Sequence, residues 1–231
     1  MNSSFGLWAI HFFHNLVTLI KKGAYIMIRY LLYLIPNFLC SIMCYLTNWF
    51  VVLFADENGE LPKIFKGWQT WDDSLDVDWF VEETVPKILR YDFNSKYERY
   101  SEDASKTWGE YGINRTKLCS RLKPGATFSI KERIQRYCCR VLWLTRNCAY
   151  GFSFLYFGAL LDSKDVLYEE HSELYTYGYD KSKPWYSRPF IYKNDKKIIG
   201  NIRWCLFFGW KLSGTIGKHN AMIANRIAIR F

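Results

Sequence analysis

Five aspartates stand within 23 residues early in the chain: Asp56, then Asp72, Asp73, Asp76 and Asp78. Gathered on one loop, several such oxygens suit a hard divalent cation such as Ca²⁺ or Mg²⁺. Alternatively, two of them could divide the acid and base work of a hydrolysis. Asp72, Asp73, Asp76 and Asp78 are the candidate metal ligands, and a divalent cation is the only cofactor they suggest. The spacing Asp-Asp-x-x-Asp-x-Asp lacks the glycine and closing glutamate of an EF-hand loop. A structural reading competes, because aspartate caps helices and closes turns through side chain-to-backbone bonds.

Other residue types support less chemistry. Arg146 and Asn147 sit between two apolar stretches. Arg146 either pairs with the aspartates or compensates a helix C-terminus. His11 and His14 share a helical face, but two ligands make no site. His171 lies among Glu169, Glu170 and Glu173, a pattern better explained by an exposed strand edge. Seven cysteines without a Cys-x-x-Cys pair exclude zinc ribbons and thioredoxin chemistry. No phosphate-binding loop, dinucleotide-binding glycine pattern or Ser-His-Asp ordering occurs.

The elements that must position these residues begin with a charge boundary. The first 55 residues contain no Asp or Glu, and residues 30–55 carry no charge at all. Residues 37–55, after an interruption at Pro36, are long enough for one membrane crossing. Residues 5–20 form a weaker apolar stretch that reads as an interfacial helix. Residues 56–112 carry 7 basic and 14 acidic groups, and residues 113–231 carry 21 and 8. The acidic middle and basic remainder are expected to pair with each other, which makes nucleic acid an unlikely partner.

Residues 1–55 are thus expected as a membrane-associated segment and 56–231 as an α+β domain. A short helix is expected over 79–91, and loop over 92–127. Ser129-Ile130-Lys131-Glu132 has the pattern of a capping box and starts a helix to about Asn147. Residues 148–161 either extend that helix or form a second buried segment. Alternation marks strands over 198–212 and 222–231, with another candidate at 167–179. Lys193-Asn194-Asp195-Lys196 reads as a hairpin turn. The fold class is an N-terminal membrane helix followed by an antiparallel sheet packed with one or two helices.

Three ordered stretches carry a family resemblance. The first is Phe54-Ala55-Asp56-Glu57-x-Gly59-x-Leu61-Pro62, then Phe65 and Gln69-Thr70-x-Asp72-Asp73-x-Leu75-Asp76-x-Asp78. The second is Leu142-Trp143-Leu144-x-Arg146-Asn147-x-Ala149-Tyr150-Gly151-Phe152, and the third Gly209-Trp210-Lys211-Leu212. In these the chain resembles a family of uncharacterised tailed-bacteriophage membrane-associated proteins. It departs from the pattern at Val77, often Gly, and at Cys148, usually Pro. The resemblance implies no activity. It makes Asp56, Arg146 and Asn147 motif positions, with structural roles expected. It implies a phage-encoded membrane-associated protein; the expected function is an accessory protein at the host inner membrane, with the bilayer and an unidentified host or phage protein as partners. A membrane-tethered metal-dependent hydrolase and a virion or ejection component are the alternatives.

Overall fold

The computed structural model describes residues 28–70, 73–103, 116–162, 167–171, 174–178, 191–199, 202–212 and 218–230. The apolar, charge-free stretch forms one helix, α1 (Ile28–Phe54), whose last turn tightens to a 3₁₀ turn at Val52–Phe54. Pro36 does not interrupt it. The proline removes one backbone donor, but both halves of the helix are gripped by the body. Tyr30 packs with Trp210 and Ile223, and Asn37 is 1 % exposed between Asn225 and Ser153. Those contacts hold the helix through a residue that would end a free one. The crossing expected to start at Asn37 is therefore part of a longer rod. The apolar stretch at 5–20 lies outside the described residues.

One face of α1 is inside the protein. Cys44 packs on Cys148 and Ala149, and Val51 and Val52 join the main core with Leu75, Val77, Phe80 and Trp143. The sequence boundary at residue 56 is thus no boundary in packing.

Beyond α1 the chain turns back at Asp56–Glu60. Asp56 closes that turn by accepting from the backbone N–H groups of Asn58 and Glu60. The helix expected over 79–91 is instead two short turns, π-helical at Phe80–Thr84 and 3₁₀ at Lys87–Leu89, separated at Val85 and Pro86. Pro86 cannot donate to a continuing helix. The 92–127 region is not all loop. After a single turn, α2 (Phe93–Lys96), it forms an antiparallel hairpin of β1 (Tyr97–Asp103) and β2 (Thr116–Leu122). Beside the buried Tyr97 and Cys119, inward side chains of these strands form ion pairs, which keeps their sequence polar. Arg99 and Lys117 are examples.

The capping box forms as its sequence specifies: Ser129 Oγ accepts from Glu132 N–H, and the Glu132 carboxylate accepts from Ser129 N–H. It starts α3 (Ile130–Arg146). Residues 148–161 split into α4 (Tyr150–Leu155) and β3 (Ala159–Asp162). The 167–179 candidate is a separate hairpin, β4 (Leu167–His171) with β5 (Leu174–Gly178). The main antiparallel sheet has the order β3-β8-β7-β6, with β6 (Ile191–Ile199), β7 (Ile202–Leu212) and β8 (Lys218–Arg230). Lys193–Lys196 is no turn. It runs inside β6, with Lys193 opposite Phe207 and Lys196 opposite Trp204. β6 is an edge of this sheet, where charge is tolerated and deters further pairing. The reversal falls between Ile199 and Ile202, which face each other. The whole is α+β.

Candidate functional site

The acidic cluster folds around a single buried carboxylate. Asp76 lies on a loop laid along the edge of β2, where Asp73 makes a parallel bridge to Leu118. Leu75 N–H donates to Gly59 O at 2.8 Å, so the Asp56–Glu60 turn closes over the same loop. The Asp76 side chain is 0 % exposed. Arg140 grips it at both oxygens, Nε to Oδ1 at 2.9 Å and Nη2 to Oδ2 at 2.5 Å. Arg136, one helical turn earlier on α3 and so on the same face, donates to Oδ2 at 3.2 Å. The phenols of Tyr97 and Tyr91 donate at 3.0 and 3.5 Å. The two guanidiniums also donate to the carbonyls of Asp56 and Glu57, which ties turn, loop and helix together. Arg136 lies over the rings of Tyr97 and Phe128.

Burial opposes ionisation of Asp76, but the attraction of Arg140 and Arg136 prevails and holds its carboxyl below the ordinary range. Burial, with the Asp76 charge, pushes the Tyr97 and Tyr91 phenols up. The Asp76 carboxylate, the Arg140 guanidinium and the two phenols are thus each driven further into the state they already hold at neutral pH. A general acid or base needs the opposite, a pKa brought toward the working pH.

Two further ion pairs flank this centre. Arg99 on β1 makes a two-pronged pair with Asp73, both contacts at 3.1 Å. It also donates to the Asp76 carbonyl at 3.0 Å, an oxygen that Ser120 and Ser74 share. Glu60 pairs with Lys66 and Lys117 at 2.8 and 2.5 Å. Burial raises its pKa, but the two lysines outweigh that and hold it low. Gln69 is fully buried, accepting from Leu61 N–H while donating to Glu60.

The five aspartates therefore do different things. Asp73 and Asp76 are held by arginines. Asp78 accepts from Trp79 N–H at 2.8 Å at a helical start and lies 3.8 Å from Arg99. Asp56 closes its turn, and Asp72 lies outside the described residues. Among the described residues no three His, Cys, Asp or Glu side chains converge to hold a metal ion. The arginines on Asp76 are Arg136 and Arg140. Arg146 lies over the rings of Trp79 and Phe80 at 5.2 and 5.8 Å. Asn147 caps α3, its side chain donating to the Trp143 carbonyl at 3.2 Å. The usable signal for the missed arginines was their i, i+4 spacing on a helix whose apolar stripe includes Cys139, Trp143 and Leu144.

The first two sequence motifs meet in the main core, and the third meets α1. Gly59 has φ +77°, and a Cβ there would stand 2.8 Å from Asp76 Oδ2. Gly67 and Gly151 abut: a Cβ on Gly151 would lie 2.1 Å from the Lys66 carbonyl, and Phe152 N–H donates to Gly67 O. Gly209 N–H donates to the Tyr30 hydroxyl at 3.1 Å, beside the Tyr30–Trp210 ring pair. Val77, where the resembled family often has Gly, is fully buried, and Cys148 donates to the Ser41 carbonyl of α1.

Residues 23–230 match a family of unknown function, DUF7338. The chain belongs to that family. No curated protein and no solved structure matches it.

Proposed function

We propose that this DUF7338 protein is a membrane-associated accessory protein that holds its α+β body at a bilayer and acts there by binding another protein. One observation carries the reading: α1 is free of charge from Tyr30 onward, and among the described residues only one of its sides has protein against it. Tyr30, Asn37, Cys44, Asn48 and Val51 face inward, while Leu32, Leu39, Leu46, Trp49 and Leu53 are exposed. A contiguous exposed apolar face of that length marks a lipid or protein interaction site. The chain's resemblance to tailed-phage proteins makes the host inner membrane the bilayer in question. The protein-binding half of the reading draws on a second exposed group on the body. Ile88 is 81 % exposed, and its carbonyl accepts from Gln135, next to exposed Ile134.

The hydrolase alternative draws nothing from Asp73 and Asp76, whose oxygens accept from guanidiniums. We assign that cluster to joining the Asp56–Glu60 turn, β1, β2 and α3. The test is flotation of the full chain with vesicles of phosphatidylethanolamine and phosphatidylglycerol. The full chain should float, and the Leu39→Asp/Leu46→Asp variant should lose at least about tenfold in bound fraction at unchanged far-ultraviolet dichroism. A full chain that stays monodisperse in the aqueous fraction overturns the reading. Cross-linking in infected cells, with and without Ile88→Asp, addresses the protein partner.

A further inference from the structure

We infer that α1 lies along the plane of the membrane, its outward face seated in one leaflet, rather than crossing the bilayer. This rests on the membrane reading above and specifies how the surface is used.

A helix of 27 residues is about 40 Å long, and a hydrocarbon core of about 30 Å would cover all but roughly 5 Å at each end. A helix that crosses alone can meet that demand. This one carries the protein body along its inner side for its whole described length. The Arg29 guanidinium donates to the Gly158 carbonyl, and Tyr30 packs on Trp210. At mid-helix, Ser153 donates to Asn37 at 2.7 Å. Further on, Asn48 donates to Thr145, and Tyr137 donates to the Trp49 carbonyl at 2.7 Å.

Whatever depth a part of α1 reaches, the attached body reaches too. Asn48 is six residues, about 9 Å, from the end of the helix, inside the span that hydrocarbon would cover. Its partner Thr145 adjoins Arg146, whose guanidinium lies 5.2 Å over the ring of Trp79. Trp79 follows Asp78, which is a third exposed, and precedes the exposed Glu82 and Glu83. A crossing would carry these charges toward hydrocarbon, where ionised side chains are costly and need internal partners.

In-plane seating removes the conflict. Only the outward face then meets acyl chains, and the charged body stays on the aqueous side. The composition of that face fits a bilayer surface rather than a second protein. It is free of charge from residue 30 onward, and Tyr45, Trp49, Phe50 and Phe54 lie toward its end. Exposed Ile130 and Ile134 on α3 are interleaved with exposed Lys131 and Arg133, a pairing suited to an anionic leaflet.

Depth measurement tests this with the full chain on phosphatidylethanolamine–phosphatidylglycerol vesicles. A fluorescent unnatural amino acid is placed singly at Leu32, Leu39, Leu46 and Leu53, which lie a heptad apart and are between 59 % and 68 % exposed. Quenching by lipids brominated at shallow or deep acyl positions is then compared. The expected result is a shallow-to-deep quenching ratio equal within about twofold at all four sites. Deep quenching at Leu39 and Leu46 with shallow quenching at Leu32 and Leu53 would mean a crossing and overturn the proposal. Binding without quenching at any site would mean that residues 1–27 or a second copy covers the face, and would overturn it too. A chain that does not bind the vesicles sinks the membrane reading itself, which separates the two failures.

Discussion

Replacing Asp76 by Asn would leave Arg140 and Arg136 facing a neutral amide in a site closed to water. Removing one partner of a buried ion pair costs about 3–5 kcal/mol, because the remaining charge is left uncompensated. Urea unfolding of Asp76→Asn should show that loss, with the guanidinium contacts to the Asp56 and Glu57 carbonyls no longer fastening the turn. The pH dependence follows from the same pairs. Asp76 and Glu60 both have folded pKa values below their ordinary ones. Their contribution is fully present above the unfolded carboxylate values of about 4 and is lost as pH falls through the lower folded values. Urea midpoints should be flat near neutrality and fall below about pH 4, and Asp76→Asn should flatten that fall. An unchanged acid slope in Asp76→Asn would show that other groups set it.

Single elements are held by local signals and by close approach. Ser129→Ala removes the accepting hydroxyl at the start of α3 and should cost about 1 kcal/mol in equilibrium unfolding. Gly151→Ala should cost more, about 3 kcal/mol. Its Cβ would meet the Lys66 carbonyl at 2.1 Å, and backbone cannot swing aside as a side chain can. A Gly151→Ala protein with wild-type melting would show that α4 does not need this approach. The helix α3 was legible from Ser129 and Glu132 because a capping box is written in four consecutive residues. β7 and β8 were legible from alternation because extended backbone sends successive side chains to opposite faces. The β1–β2 hairpin was not legible. Its buried positions include Lys117 and Ser120, whose partners Glu60 and Asp76 are 57 and 44 residues away. The Lys193–Lys196 turn was misjudged because turn propensity and an edge strand favour the same charged residues.

At the scale of the whole molecule, α1 is a spine rather than a removable anchor. Val51 and Val52 belong to the main core, and Tyr30 belongs to the cluster under the sheet. A fragment of residues 56–231 should therefore fail to unfold cooperatively and should bind a hydrophobic dye, whereas a detachable anchor would leave a compact domain. Thermal melting of that fragment beside the full chain checks this.

The sequence by itself determined the long apolar helix, the capped α3, the alternating strands of the main sheet and the clustering of motif residues. Each is a periodicity or a run of adjacent residues, which local physics reads directly. Only the tertiary structure decided which side of α1 is inside, which arginines meet which aspartates, and why Gly59, Gly67, Gly151 and Gly209 stand where they do. Those are contacts between residues tens to more than a hundred positions apart. A buried charge has its meaning only once its partner is beside it, and a charge-free stretch of helix has an inward face only once a body packs against it.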